Sequence, residues 1–214
     1  MDGGAIDGNW YLAVLGFARE TPWLHGFMAI YTNASLVVLA LMAVGTWWRM
    51  RGRDASRMAA ALWVPAAVVV AYGVSNVVKV LVQEPRPCIR YPAVPTLASC
   101  DYATDYSFPS NHVTLAVAAA VALLLAVRRS GLIALGLALL VACSRVYLGA
   151  HYPHDVLAGA VLGALVACLG LLLRRPMTAL VGHLRTGGLR PLVGAGAEDR
   201  PAAGVRDRGV DARH

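Results

Sequence analysis

The sequence predicts an all-α fold: a polytopic membrane helical bundle of about five transmembrane helices plus an N-terminal interfacial helix. Two observations support this prediction. Hydrophobic residues make up 58% of the 214-residue chain and charged residues only 14%, a composition too apolar for an ordinary soluble domain. Five apolar stretches also approach the roughly 20 residues that a helix needs to cross a bilayer. These stretches are residues 24–48, 58–82, 112–127, 131–149 and 155–173.

Ahead of the first span, residues 9–20 form an apolar segment that is too short to cross a membrane and is closed by Pro22. We expect this segment to be a helix lying in the outer membrane interface, with Trp10 and Trp23 at the depth of the lipid headgroups. The start of the chain carries Asp2 instead of the basic residues of a secretory signal, so no cleaved leader is expected.

Arginine placement predicts how the bundle is oriented. The chain has a net charge of +7, but its arginines lie at the ends of the predicted spans and form no groove lined with exposed aromatic residues. A nucleic-acid partner is therefore not expected. Cytoplasmic loops are enriched in Lys and Arg, which places the N-terminus and the 83–111 connection outside. The deciding arginines are Arg49, Arg51, Arg53 and Arg57, then Arg128 and Arg129, then Arg174 and Arg175.

Three separated blocks hold the polar residues that are suited to chemistry. Lys79 opens the first block, and every other cation among the 19 Lys and Arg residues is an arginine. The topology rests on arginines outside the three blocks, and it places all three blocks on the outer face. It therefore supports a single shared site independently of the block residues themselves. The blocks are Lys79-x6-Arg86-Pro87, Pro109-Ser110-Asn111-His112 and Ser144-Arg145-x5-His151-x3-Asp155.

His151 and Asp155 lie four residues apart at the start of the last predicted span, so a helix there would place them on one face. A carboxylate that accepts a hydrogen bond from one imidazole nitrogen fixes the tautomer and leaves the other nitrogen free to attack. The alternative is a structural ion pair at a helix start. Arg145, near the end of the preceding span, favours the catalytic interpretation, because ionisable residues near spans are costly and several converge here.

The other polar residues of the blocks suit an anionic substrate. Lys79, Arg86 and Arg145 could stabilise the charge of a transferring phosphoryl group, although Lys79 alone could be a snorkelling side chain and Arg86 a loop cation. Ser110 and Asn111 lie where a helix N-terminus would direct free amides at an anion; Ser110 could also be a simple N-cap. His112 is then suited to general acid chemistry.

In these motifs the chain resembles the type-2 phosphatidic acid phosphatase superfamily, whose signature is Lys-x6-Arg-Pro, Pro-Ser-Gly-His and Ser-Arg-x5-His-x3-Asp. The resemblance covers about residues 10–175, and Asn111 stands where the signature usually has Gly. It implies that His151 attacks phosphorus to form a phosphohistidine while Asp155 orients it, and that His112 protonates the leaving oxygen. It further implies that the phosphate is held without a metal or cofactor, by Lys79, Arg86, Arg145 and Ser110.

The apolar spans favour a lipid phosphate as the substrate. The short layout and the contexts Glu84-Pro85-Arg86-Pro87 and Ser107-Phe108-Pro109-Ser110 most resemble undecaprenyl diphosphate phosphatases of the bacitracin-resistance type. Phosphatidic acid and phosphatidylglycerol phosphate remain alternative substrates, and a non-catalytic phosphate-lipid binding or transport protein is the alternative class. The expected location is the plasma membrane, as a multi-pass protein with its active site on the extracytoplasmic face.

Two features outside the blocks complete the prediction. Cys88 and Cys100 both fall in the outer connection, where a disulfide could form, and the sequence leaves that pairing open. Cys143 and Cys168 lie within spans and are expected to be packing residues. Residues 1–175 are expected to form one membrane-embedded domain. Residues 176–214, rich in Gly, Ala, Pro and Arg, are expected to form a flexible cytoplasmic tail.

Overall fold

The computed structural model describes residues 7–100 and 105–196 of the chain. The described residues form helices and connections without strands, which confirms the predicted all-α class. Four of the helices, α2, α3, α6 and α7, are long and apolar enough to cross a membrane, and α5 is a shorter apolar helix. The helices are α1 Gly8–Glu20, α2 Pro22–Met50, α3 Ala55–Val82, α4 Pro87–Arg90, α5 Asn111–Ala126, α6 Arg128–Tyr147, α7 Pro153–Leu172, α8 Arg174–Thr186 and α9 Arg190–Val193.

Helix α5 is the centre of the bundle, because α2, α3, α6 and α7 all pack against it. Its sequence is rich in alanine, and small side chains let the surrounding helices approach its backbone closely. Its side chains enclose the largest apolar core together with Trp63 and Val64 of α3. The fully buried residues of α5 include Val113, Ala116, Ala118, Ala120 and Leu123.

The ends of the helices follow local sequence signals. Pro22 and Pro153 stand in the first turns of α2 and α7, where a missing N–H costs nothing because the first helical N–H groups have no partner within the helix. The side chain of Asp54 accepts the N–H of Arg57 at 2.9 Å and caps α3. At the other end of α3, Gln83 adopts a left-handed conformation with φ 54°.

Successive spans run in opposite directions, so the end of α3, the start of α5, the end of α6 and the start of α7 meet at one end of the bundle. We call this the site end. The predicted arginine clusters lie at the opposite end, where Arg174 donates to Ser56 at 3.1 Å. Which end faces the outside of the cell remains a prediction.

The N-terminal helix α1 closes the site end from one side. Trp10 and Trp23 are exposed, as expected of residues at a membrane interface, while Tyr11 and Leu15 are buried against Tyr152. The hydroxyl of Tyr11 donates to the carbonyl oxygen of Gly149 at 3.1 Å. The helix therefore packs on the turn that precedes α7; its depth in the membrane stays a prediction.

Helix α8 covers the first part of the stretch after residue 175, where a flexible tail was expected. Helix α8 directs Met177, Val181 and Leu184 toward Met58 and Ala59 of α3, and Val181 is 1% exposed. Positions i, i+4 and i+7 share one helix face. Residues 197–214 lie outside the described residues, so a flexible tail there, and its cytoplasmic location, stay predictions.

The cysteines separate into two kinds. Cys88 and Cys100, whose pairing the sequence left open, form a disulfide with their Cα atoms 6.1 Å apart. Cys143 and Cys168 are free and exposed on the outside of the bundle, which corrects their expected role as core packing residues. A membrane helix can carry an apolar side chain on its lipid-facing surface as readily as in its core.

Candidate active site

The structure brings the three sequence blocks to the site end, each from a different element. Lys79 lies in the last turn of α3 and Arg86 in the connection that follows. Ser110 occupies the N-cap position of α5 without a side-chain capping bond, and Asn111 and His112 are the first two residues of the helix. Arg145 lies in the last turn of α6, and Asp155 in the first turn of α7. His151 stands in the short turn between α6 and α7.

His151 and Asp155 form the buried centre of the site. Nδ1 of His151 lies 3.4 Å from Oδ2 of Asp155, and their side chains are 2% and 0% exposed. The same Oδ2 accepts the N–H of Tyr152 at 2.8 Å and the hydroxyl of Ser107. A carboxylate with this many donors is firmly held, and its contact with Nδ1 orients the His151 ring and leaves Nε2 as the nitrogen that does not face Asp155.

Burial lowers the pKa of His151 to about 4, against the raising effect of its hydrogen bond to Asp155. The positive charges of Arg145 and Arg86 also lower this pKa, so both cations lie near the imidazole. A neutral ring has a lone pair for nucleophilic attack, whereas an imidazolium has none. The environment therefore keeps the His151 ring neutral at neutral pH.

The turn that carries His151 is held from two sides. The carbonyl oxygen of Leu148 accepts the N–H groups of Leu97 at 3.1 Å and Ala98 at 2.9 Å. Gly149 has φ 74°, a left-handed conformation that favours glycine. A Cβ there would also lie 2.8 Å from the side chain of Thr96. Glycine therefore permits a tight turn that delivers His151 beside Asp155.

Two cations meet on the segment before Ser107. The Lys79 ammonium group donates to the carbonyl oxygens of Tyr106 and, at 3.4 Å, Ser107. Arg86 donates to the carboxylate of Asp105 at 2.6 Å and to the carbonyl oxygen of Ala150 at 3.1 Å. Both side chains thus contact backbone groups beside the central pair.

Two further groups at the site carry hydrogen-bonding atoms that have no partner among the described residues. Nε of Arg145 and the hydroxyl of Ser110 are both buried in this state. Buried polar groups without partners are costly. Arg145 lies near the His151 imidazole and the backbone N–H of Ser110 donates to Asp155, so an anion bound here could accept from both unpartnered groups.

The side chains of Asn111 and His112 form hydrogen bonds with polar residues of the neighbouring helices. The Asn111 amide donates to Asn76 at 3.2 Å and accepts the hydroxyl of Ser75, so its side chain contacts α3. Nε2 of His112 forms a hydrogen bond with Oδ1 of Asn33 at 3.0 Å. His112 is near enough to His151 for the two rings to interact electrostatically.

Sequence patterns did not assign several residues that support the site: Ser107, Asn33, Ser75 and Asn76. Three of these are polar residues inside apolar spans, and such residues usually face the bundle interior or a functional site. That signal could have identified them. Among the described residues, one group of three could hold a metal ion, Glu84, His154 and Asp155, and it lies beside the His151–Asp155 pair.

The sequence model of the PAP2 superfamily matches residues 60–177. The undecaprenyl-diphosphatase BcrC of Bacillus subtilis is 31% identical over 159 residues, which is 74% of this chain and 79% of that protein. The decaprenylphosphoryl-5-phosphoribose phosphatase of Mycobacterium tuberculosis is 39% identical over 105 residues, covering 49% of this chain and 55% of that protein.

The fold is also similar to a solved structure, that of Aquifex aeolicus LpxE. The TM-score is 0.65 at 20% identity, over 80% of this chain and 98% of that one. This likeness concerns the fold alone. The family match includes all three blocks and more than half of the chain. The chain therefore belongs to the PAP2 superfamily and is a membrane lipid phosphatase.

Proposed function

We propose that this enzyme removes a phosphate from a polyprenyl lipid, with undecaprenyl diphosphate as the favoured substrate, on the outer face of the membrane. The observation that carries the proposal is the buried His151–Asp155 pair, 3.4 Å apart, with three cations around it. A binding protein needs cations and amides, but it does not need a nucleophile with an orienting carboxylate.

The proposed reaction has two displacements at phosphorus. In the first, Nε2 of His151 attacks the terminal phosphorus, an N–P bond forms, and the bond to the leaving oxygen breaks. His112 gives that oxygen a proton, and Asp155 holds the Nδ1–H of His151. In the second, His112 takes a proton from water, whose oxygen attacks phosphorus. The N–P bond then breaks, which releases inorganic phosphate and restores His151.

The cations would hold the non-bridging oxygens through both steps. Lys79 and Arg86 would exchange backbone carbonyl partners for phosphate oxygens, and Arg145 and Ser110 would bring their unpartnered atoms to the same group. The first amides of α5, at Asn111 and His112, add the positive end of a helix. These groups act on charge that spreads over the equatorial oxygens in the transition state, so no metal is required.

Two relatives support a polyprenyl carrier as the lipid. The B. subtilis relative is named for undecaprenyl diphosphate and the M. tuberculosis relative for decaprenylphosphoryl-5-phosphoribose. The second name makes a phosphate monoester on a polyprenyl-linked sugar the second candidate. Phosphatidic acid and phosphatidylglycerol phosphate are the glycerolipid alternatives.

A substrate panel tests the proposal. Purified protein in detergent would be assayed with polyprenyl diphosphate, polyprenyl monophosphate, phosphatidic acid and phosphatidylglycerol phosphate, in excess chelator. We expect the highest kcat/KM with polyprenyl diphosphate. His151→Ala should abolish turnover and retain substrate binding, while His183→Ala, on the exposed face of α8, should match the wild type. Full activity of His151→Ala, or a need for added magnesium, would overturn the mechanism.

The proposed orientation has its own test. In a Cys143→Ser/Cys168→Ser background, a single cysteine replaces Ala93 at the site end or Gly52 between α2 and α3. A membrane-impermeant maleimide should label the Ala93→Cys protein in intact cells and the Gly52→Cys protein only after lysis. The reverse pattern would place the site on the cytoplasmic face.

A further inference from the structure

Three potential metal ligands lie close together at the proposed catalytic pair. One of them, Asp155, is a member of that pair, and the proposed mechanism does not use the other two. Glu84 comes from the connection after α3, and His154 and Asp155 from the first turn of α7. One ligand atom from each lies within 4.8 Å of the others. We call these three residues the carboxylate–histidine cluster. It lies at the site end, and its His154 side chain is 24% exposed, so a small ion could reach it.

Both ring nitrogens of His154 face carboxylates. Nδ1 lies 3.0 Å from Oδ2 of Asp7, and Nε2 lies 3.0 Å from Oε2 of Glu84. A neutral imidazole has one N–H, so one nitrogen would face oxygen lone pairs without a proton between them. Asp7 also accepts the backbone N–H of His154 at 2.7 Å, so its carboxylate is held beside Nδ1. Nε2 is then the nitrogen that faces oxygen without a proton.

This arrangement matches the outer support of a metal-binding histidine, in which one ring N–H donates to a carboxylate and the other nitrogen binds the metal. Asp7 would supply the carboxylate behind Nδ1. Aromatic rings fix the imidazole plane: Tyr152 stacks on it at 5.3 Å with an angle of 11°, and Phe108 lies at 6.0 Å. The ring is therefore oriented before any ion arrives.

The spacing of the ligand atoms suits a small tetrahedral cation. Nε2 of His154 lies 3.0 Å from Oε2 of Glu84 and 3.3 Å from Oδ1 of Asp155. A tetrahedral Zn²⁺ with bonds of about 2.0–2.2 Å would separate its ligand atoms by about 3.3–3.6 Å. Small side-chain adjustments would bring the three atoms onto one ion.

An independent observation comes from Asp155 itself. Its Oδ2 is occupied by the His151, Ser107 and Tyr152 contacts. Its Oδ1 is buried and accepts no hydrogen bond within the described residues; its close polar contact is Nε2 of His154 at 3.3 Å, which can donate only when that nitrogen carries a proton. A fully buried carboxylate oxygen with no donor is costly. Three carboxylates, from Asp7, Glu84 and Asp155, contact the one imidazole of His154, so its ring nitrogens lie among acceptor oxygens.

We propose that Glu84, His154 and Asp155 bind one divalent transition-metal ion of the Zn²⁺ type, and that this ion inhibits the enzyme. One nitrogen and two carboxylate oxygens favour zinc over magnesium or calcium, which prefer oxygen ligands alone. The inhibitory part rests on the proposed function. A cation on Oδ1 withdraws charge from the carboxylate that orients His151, which weakens its hold on the nucleophile.

Metal binding is tested without substrate. Chelator-stripped wild-type protein in detergent is titrated with Zn²⁺ by calorimetry, and we expect one ion per chain. His154→Gln and Glu84→Gln, each of which removes one ligand, should lower the affinity at least about tenfold. His183→Gln is the matched control and should bind as the wild type does. Co²⁺ should give the visible absorption of a tetrahedral site in the wild type and lose it in His154→Gln.

A proton shared between His154 and its carboxylates would satisfy the same contacts without a metal. In that case the wild type would bind no stoichiometric zinc, or it would bind zinc as His154→Gln does. Either result would overturn the proposal. Since this experiment needs no lipid, its outcome is separate from the failure of the proposed function.

The regulatory part is tested by turnover. Zn²⁺ should lower the kcat of the wild type, and chelator should restore it. His154→Gln should keep activity within a few-fold of the wild type and lose its sensitivity to zinc. Stoichiometric binding with unchanged turnover would overturn the inhibition. A protein that binds zinc but hydrolyses no lipid phosphate would refute the proposed function and leave the metal site standing.

Discussion

The backbone N–H of Ser110 donates to the carbonyl oxygen of Asp155 at 3.1 Å. This bond joins the first turn of α5 to the first turn of α7, so the two helices that carry His112 and Asp155 are aligned through their backbones. Such an approach requires a small residue on α7. Gly159 provides it, because a Cβ there would lie 2.8 Å from the carbonyl oxygen of Ser110.

The same helix face gives a prediction about stability. A Cβ on Gly163 would overlap the backbone oxygen of Thr114 and lie 2.9 Å from the N of Ala118. Gly163→Ala should therefore push α7 away from α5 and destabilise the fold by about 1–3 kcal/mol, as overpacking does. Thermal unfolding in detergent would measure this as a lower midpoint, and turnover should fall with it.

Gly136 supplies the control for this prediction. A Cβ at Gly136 of α6 would meet nothing within 4 Å, and alanine favours helix over glycine. Gly136→Ala should therefore leave the unfolding midpoint unchanged or slightly raised. Equal midpoints for Gly163→Ala and Gly136→Ala would mean that the α5–α7 approach does not depend on glycine.

Ser107 gives a prediction about catalysis. Its hydroxyl donates to Oδ2 of Asp155, the oxygen that also faces His151. Ser107→Ala should loosen the carboxylate and lower kcat by about 10–100-fold, the range expected when a group that orients a functional residue is lost. Ser35→Ala removes another buried hydroxyl, one that bonds only within α2 at Thr32. This control should keep wild-type kcat, and a Ser107→Ala enzyme with wild-type kcat would exclude the role.

Arg145 gives a prediction about transition-state charge. Its Nε is buried and has no partner in the described part of the chain, although the side chain lies close enough to lower the pKa of His151. Arg145→Ala should lower kcat by about 10²–10³-fold, as for other groups that stabilise developing charge. Arg57→Ala, at the opposite end with a side chain 62% exposed, should have no effect. Wild-type turnover of Arg145→Ala would remove Arg145 from the site.

The sequence predicts the helices closely because a membrane imposes their length. The predicted 58–82 and 155–173 correspond to Ala55–Val82 and Pro153–Leu172. Block spacing also identifies residues that converge at one end, although the expected shared helix face of His151 and Asp155 is wrong: His151 lies in the turn before α7, and the turn brings its Nδ1 to 3.4 Å from Oδ2 of Asp155. These parts depend on local pattern and on the hydrophobic thickness of the bilayer.

Contacts between distant parts of the chain were not predictable in the same way. The side-chain amide of Asn111 forms hydrogen bonds with Ser75 and Asn76 of α3. The proposed contact of this residue with phosphate would therefore use its backbone N–H. The stretch after residue 175 was expected to be flexible, but Val181 packs on α3 because the fold offers it an apolar surface. The composition of a segment does not show which other helix it will pack against.

The disulfide gives a prediction about the loop over the site. Cys88 and Cys100 close a loop whose Leu97 and Ala98 amides hold the Leu148 carbonyl oxygen. Replacing both cysteines by serine should lower the free energy of unfolding by up to about 3 kcal/mol, because the unfolded chain loses a constraint. Cys143→Ser/Cys168→Ser is the matched control and should unfold as the wild type does. Mass spectrometry after thiol blocking should find two blocked cysteines without reductant and four with it; four without reductant would exclude the bond.

The buried imidazole of His151 gives a prediction about pH. Burial lowers its pKa from the usual 6.5 to about 4, so between these values the unfolded chain binds a proton that the folded protein does not. His151 therefore costs stability progressively as pH falls from about 6.5 toward 4. Thermal unfolding at pH 7.5 and pH 5.5 should show a smaller loss of stability in His151→Ala than in the wild type.

In the wild type, an acidic limb of kcat/KM that reports protonation of the nucleophile should lie below pH 6.5. A limb at or above pH 6.5, together with equal losses of stability in both proteins, would show that His151 is not held neutral by burial.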